Sequence, residues 1–173
     1  MDKALPTIIV IVFTAVVLVG MYLGWRALQR RQVGIPRPRA VPADVGAPLQ
    51  TTELLYVATT AAGDPLSRIA VGGLRYRGKA SVTVAERGIV LAITGERDAF
   101  IPVQDLRSVG RATWAIDRAV ETGGLVAVGW TLTDDEGHRA DVDSYLRVVE
   151  PPNPSALIGA IAGLIETGNE SES

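Results

Sequence analysis

Residues 4–25, ALPTIIVIVFTAVVLVGMYLGW, run for 22 positions without a charge and are closed by Arg26 and a basic stretch behind it. A helix of that length, rising 1.5 Å per residue, reaches about 33 Å and matches a hydrocarbon core of roughly 30 Å. Nothing later in the chain is comparable, so the sequence predicts a transmembrane helix over 4–25, with residues 1–3 as a short tail before it. A cleaved signal peptide fits less well. The apolar run exceeds the roughly 7–15 residues of such a segment, and no small-x-small cleavage site precedes the arginines. Charge sets the expected orientation. Lys3 stands alone on one side, against Arg26, Arg30, Arg31, Arg37 and Arg39 on the other. That imbalance predicts a single-pass protein of the inner cell membrane, N-terminus outside and C-terminal domain in the cytoplasm. Tyr22 and Trp25, with Arg26, Arg30 and Arg31, flank the membrane at the cytoplasmic end, where amphipathic rings favour the headgroup layer. Gly20 and Gly24 form a GxxxG pair, a notch through which two such helices could pack as a homodimer.

Residues 26–50 read as a basic, proline-rich juxtamembrane linker. Pro36, Pro38, Pro42 and Pro48 each remove a backbone donor and fix φ, so neither a helix nor a central strand is expected to run through it. Beyond it the texture changes. Residues 51–168 read as one folded domain and 169–173 as a disordered tail. The domain and tail carry eleven Lys/Arg against seventeen Asp/Glu, an acidic balance that argues against nucleic-acid binding. Cysteine is absent, which excludes disulfides, thiolate metal sites and a cysteine nucleophile.

Within the domain, short β-type runs alternate with turn residues: 53–60, 81–85, 89–93, 99–103, 108–116, 125–132 and 139–149. In the last of these, Ala140, Val142, Leu146 and Val148 face one way and Arg139, Asp141, Asp143 and Arg147 the other, the pattern of a half-buried strand. Residues 117–124 read as a loop. The period then switches. Asn153 is a candidate N-cap and Pro154 suits the first helical position. Leu157, Ile158, Ile161, Leu164 and Ile165 form an apolar stripe, and Gly168 is placed to end the helix. Residues 61–78 form the longest connection, in which Asp64-Pro65 could start a short helix ending near Gly72-Gly73.

The run 79–109, KASVTVAERGIVLAITGERDAFIPVQDLRSV, resembles the core of bacterial pleckstrin-homology-like (PH/GRAM-type) domains: a strand and turn, a Gly-apolar strand, then a strand ending in an apolar-Pro-apolar step. The order of elements matches over roughly 51–168. The resemblance implies a mainly-β fold, a seven-stranded bent barrel with a C-terminal amphipathic helix, in a family that mostly binds proteins or lipids and lacks catalytic residues. It also implies a lipid-headgroup surface at Arg68, Arg75, Arg77 and Lys79, because lipid-binding members carry basic contacts in this connection. If 74–79 is extended, Arg75, Arg77 and Lys79 share one face.

Catalytic chemistry is hard to find. His138 is the sole histidine, set beside Asp134, Asp135 and Glu136 with Asp141 and Asp143 following. Such oxygens could collect a divalent cation, yet neither calcium-loop nor zinc spacing is present, and a solvated hairpin turn is the plainer reading. Ser67, Ser81, Ser108 and Ser144 lie in no nucleophile elbow, and Gly72-Gly73 opens no phosphate-binding loop. Trp114 and Trp130 read as core or rim rings. The expected function is a non-catalytic, membrane-tethered module without a metal or cofactor, serving an unidentified membrane or cytoplasmic protein as accessory or scaffold. Binding of anionic lipid headgroups is the first alternative. A small metal-dependent enzyme centred on Asp134–Asp143 is the second.

Overall fold

The computed structural model describes residues 4–32, 35–112, 114–115, 118–119, 125–134, 136–149 and 154–170, with side chains over 10–24 in the first helix. The chain divides into two compact units, Met1–Gly34 and Ile35–Ser173.

The first unit is one helix, α1, Ala4–Gln32. Its described side chains, Val10 to Gly24, are all exposed, Phe13 and Met21 each at 69%. Among the described residues no helix is long and apolar enough to cross a membrane. The fifteen positions 10–24 account for only about 22 Å of helix.

The second unit is built on one antiparallel sheet. In chain order the unit's strands are β1 (Pro48–Ala61), β2 (Asp64–Arg68), β3 (Gly78–Ala85), β4 (Gly88–Ile93), β5 (Ala99–Pro102), β6 (Leu106–Ala112), β7 (Trp114–Ala115), β8 (Arg118–Ala119), β9 (Leu125–Thr133) and β10 (Arg139–Val148), of which β7 and β8 pair with each other as a separate two-stranded sheet. A 3-10 turn, Val103–Asp105, joins β5 to β6, and helix α2, Pro154–Glu170, follows β10. The spatial order is β5-β4-β3-β1-β10-β9-β6, with β2 added to the end of β1. The 14-residue β1 is the spine: its first half pairs with β3 and its second with β10. The two ladders flank β1 on opposite sides and overlap at Leu54–Tyr56, and a register shift between Tyr56 and Ala58 marks an irregularity in the pairing with β10.

Alternation explains the core. Leu54 and Tyr56, Val82 and Val84, Val126, Val128 and Trp130, and Val142 and Leu146 turn inward from successive strands. Leu157, Ile161 and Leu164 of α2 close over them, as their spacing predicts. Inside runs a polar chain. Trp130 Nε1 donates to Ser144 Oγ at 2.9 Å, which lies 2.7 Å from Thr59 Oγ1. Thr59 lies 2.8 Å from the Tyr56 hydroxyl, which donates to Leu74 O at 3.0 Å. Burial pushes the Tyr56 hydroxyl pKa up to about 12.

Several expectations need correction. Among the described residues the sheet does not close into a barrel, for β5 and β6 are its two ends. The four-residue β5 runs through Pro102 into the 3-10 turn, and α2 packs on β6, that turn, β1 and β9. Nor is 26–50 a tether throughout. Pro36 is buried, Ile35 packs on the core, and Pro48–Gln50 already belong to β1. Between them the Arg39 carbonyl accepts from Phe100 N–H at 3.0 Å, and the carbonyls of Val45 and Ala47 accept from the β3–β4 turn at 3.2 Å each. Proline removes donors but not acceptors, so a proline-rich arm can still lie along a sheet edge.

The 61–78 connection holds β2 rather than a helix. Gly63 at φ 73° makes the turn after β1, and Asp64 Oδ1 accepts from Leu66 N–H at 3.1 Å, favouring a local turn over a helical start. β6 ends at Ala112 rather than running to 116, β7 falls within that expected run, and its partner β8 lies where a loop was expected. Helix α2 continues past Gly168 to Glu170. Gly168 sits where a Cβ would come 2.9 Å from Val103 Cγ2, so its role is close packing. The proposed cap Asn153 and the Trp114 side chain lie outside the described residues.

Candidate functional site

The basic cluster lies on the connection between β1 and β3. Arg68, Arg75, Arg77 and Lys79 are all exposed, but they do not share one strand face. The backbone bends at 75–76, and of the three residues expected to align only Lys79 belongs to β3, opposite Leu55. Arg68 Nη2 reaches two carbonyls, Arg75 O at 3.2 Å and Val57 O at 3.4 Å, and so ties β2 to the following bend. The Arg75 guanidinium stands 5.3 Å from the Tyr76 ring centroid, a cation–π distance. Leu66, 80% exposed, and Tyr76, 58% exposed, project from the same connection. The result is a basic loop surface with two apolar tips.

The acidic region around His138 splits in two. Asp134, Glu136 and His138 bring one donor atom each within 4.8 Å. His138 Nδ1 lies 3.0 Å from Asp134 Oδ2 and 3.6 Å from Glu136 Oε2. Asp134 Oδ1 accepts from the backbone N–H of His138 at 2.9 Å and of Glu136 at 3.0 Å. Desolvation works against the Asp134 carboxylate, but these donors and the His138 ring outweigh it and hold its pKa below the usual range. Asp141 and Asp143 do not join this group. Arg107 draws both, Nε at 3.7 Å from Asp141 Oδ1 and Nη2 at 3.7 Å from Asp143 Oδ1. The arrangement is that of a hairpin tip whose polar groups bond to one another. Ser144, buried between Thr59 and Trp130, is not presented as a nucleophile.

One group has no signal in the sequence. Asp105, on the 3-10 turn, is 5% exposed. Its Oδ2 lies 3.9 Å from Arg39 Nη1 and its Oδ1 3.9 Å from Arg139 Nη2. Burial pushes its carboxyl pKa up, and Arg39 and Arg139 offset this only in part. A lone aspartate in a corner belongs to no pattern, and both partners come from distant parts of the chain.

In the first helix, Tyr22 is exposed, and the side chains of Trp25, Arg26, Arg30 and Arg31 lie outside those described. A Cβ added at Gly20 or Gly24 would meet nothing within 4 Å.

An open antiparallel sheet whose first strand pairs on both sides, covered by a C-terminal helix, is the arrangement of a pleckstrin-homology-like domain. A sequence profile of the family described as Bacterial PH domain-like matches residues 35–161, and the chain belongs to that family. The match begins where the second compact unit begins, at Ile35, so the arm is part of the domain. No curated protein matches the chain.

Proposed function

We propose that the protein is a non-catalytic interaction module tethered to the inner membrane by α1, where it holds a partner protein at the cytoplasmic face as accessory or scaffold. The observation that carries this reading is the covalent series itself: a 22-residue uncharged run, a one-sided group of arginines, and then a PH-like domain. The described part of that run, 10–24, exposes every side chain, and such a surface is costly in water and at home in lipid. Site-specific photocrosslinking tests the interaction. With crosslinkers at single exposed positions of the domain in native membranes, the full-length chain should give discrete protein adducts. A scan of the whole domain surface that yields no adduct contradicts the reading. The Gly20/Gly24 notch makes a homodimer part of the same proposal, visible as a self-adduct from α1.

A second reading has its own observation. The exposed Arg68, Arg75, Arg77 and Lys79 sit beside Leu66 and Tyr76, a charge-plus-apolar surface suited to anionic lipid headgroups. Liposome co-sedimentation of a fragment starting at Ile35, rather than at Thr51, tests it, because Pro36 and β1 belong to the fold. Replacing Arg75, Arg77 and Lys79 by alanine should weaken binding to anionic vesicles about tenfold or more at low salt, given roughly 1 kcal/mol per charge near the surface. Equal binding by the two proteins removes the cluster from the account.

A further inference from the structure

Strand β5 is an end of the sheet, hydrogen-bonded on one side to β4. Among the described residues its other edge meets the chain's own N-terminal arm in one bridge, Phe100 to Arg39. Three features of that surface receive the arm. The Phe100 N–H donates to the Arg39 carbonyl at 3.0 Å. Asp105 faces the Arg39 guanidinium at 3.9 Å. Gly72, at φ 55°, leaves open the space that Pro38 fills, since a Cβ there would overlap Pro38 Cδ. Beside the arm lies a depression of about 320 Å³, bordered by Asp134 and Glu136. The surface is a strand edge with acidic flanks and a glycine notch, and a basic, extended segment sits in it.

Ile35 and Pro36 are anchored in the fold, but at β5 itself the arm's polar hold is sparse. The Arg39–Asp105 distance exceeds hydrogen-bonding range, so a nearly buried carboxylate lacks a close cationic donor. Prolines at 36 and 38 cannot donate to the β5 ladder. An extended segment with its N–H groups intact and an arginine beside Asp105 would add ladder bonds and a closer ion pair.

We propose that the β5 edge, with Asp105 and the Gly72 notch, is a docking site for an extended arginine-bearing segment of a partner protein, and that Pro38 and Arg39 occupy it as a tethered stand-in while Ile35 and Pro36 stay anchored in the fold. This rests on the reading of the domain as an interaction module and names the chemistry of what it binds. Tethering sets the competition, because the arm is present at an effective concentration in the millimolar range and a free peptide must displace it.

The experiment uses the full-length chain in detergent and a fluorescent peptide with the sequence of residues 35–47, read by anisotropy. The wild-type chain should bind it weakly. Arg39→Ala in the chain, which loosens the resident arm, should raise peptide affinity about tenfold. Adding Asp105→Asn should abolish the gain, and a peptide lacking its own arginine at the Arg39 position should show none. Hydrogen exchange at the Phe100 amide supplies a second reading: faster in Arg39→Ala, slowed again by excess peptide. Should Arg39→Ala fail to fold, Arg39→Gln gives the same comparison. Unchanged affinity in the loosened chain, or indifference to Asp105→Asn, overturns the proposal. Neither result touches membrane tethering or photocrosslinking, so failure here is distinguishable from failure of the module reading.

Discussion

Replacing Trp130 by alanine should destabilise the domain by ~3–5 kcal/mol, the range for emptying a buried aromatic site. Trp130 is 1% exposed at the centre of β9, facing Val142 across the β9–β10 ladder. Its ring supplies the largest fully buried side chain of the core. Its Nε1–H is also the donor that begins the Trp130–Ser144–Thr59–Tyr56 chain, so truncation removes volume and a buried donor together. At roughly 3 °C per kcal/mol for a domain of this size, the melting temperature should fall by about 10 °C or more. Trp130→Phe separates the two contributions. It retains most of the ring and loses the N–H, and about 1–3 kcal/mol should follow from leaving Ser144 without that donor. Urea unfolding of a fragment beginning at Ile35 measures both variants. A loss under ~1 kcal/mol for Trp130→Ala would mean that the ring does not hold the two halves of the sheet together.

The second large effect concerns α1. Placing arginines at Val16 and Leu18, near the middle of the uncharged run, should move the protein from the membrane to the soluble fraction. Each arginine at the centre of a spanning helix costs about 2.5–3.5 kcal/mol on insertion scales, so the pair costs roughly 5–7 kcal/mol, a shift of more than a thousandfold in partition. Both side chains are exposed along the helix, Val16 at 64% and Leu18 at 61%, so no packing within the chain confuses the outcome. Val16→Leu/Leu18→Val, which preserves hydropathy, is the control and should remain membrane-bound. Alkaline-carbonate extraction followed by immunoblotting reads the partition. Retention of the double-arginine chain in the extracted membranes would contradict the proposed span.

The sheet was legible because its signals are local. Alternation in 125–132 and 139–149 gives β9 and β10 to within about a residue, and Glu86-Arg87-Gly88 marks the turn between β3 and β4. The α2 stripe is equally plain, with Leu157, Ile161 and Leu164 buried where the helical period puts them. Non-local features were not legible. Nothing in IPRPRAVPADVGA says that its carbonyls will meet Phe100, Glu86 and Arg87, because that depends on a neighbouring edge having donors to spare. The pairing of 64–68 with β1 likewise exists because Thr60 and Ala61 extend beyond β3 and leave a partner position open. Gly168 shows a local signal overridden, its small size serving contact with Val103 instead of a helix stop. Of the candidate residues, Arg68, Arg75, Arg77 and Lys79 are exposed, but the common strand face expected of 75–79 dissolved in the bend at 75–76. Asp105 was invisible because Arg39 and Arg139 converge on it only once the sheet has formed.

The central claim is that α1 holds this PH-like domain at the cytoplasmic face of the inner membrane. Paired C-terminal fusions test it most directly, one to a reporter active only in the cytoplasm and one to a reporter active only outside it. The account predicts membrane-associated signal from the cytoplasmic reporter and silence from the other, because five arginines follow the uncharged run and one lysine precedes it. Activity of the external reporter, with the cytoplasmic one silent, would contradict it.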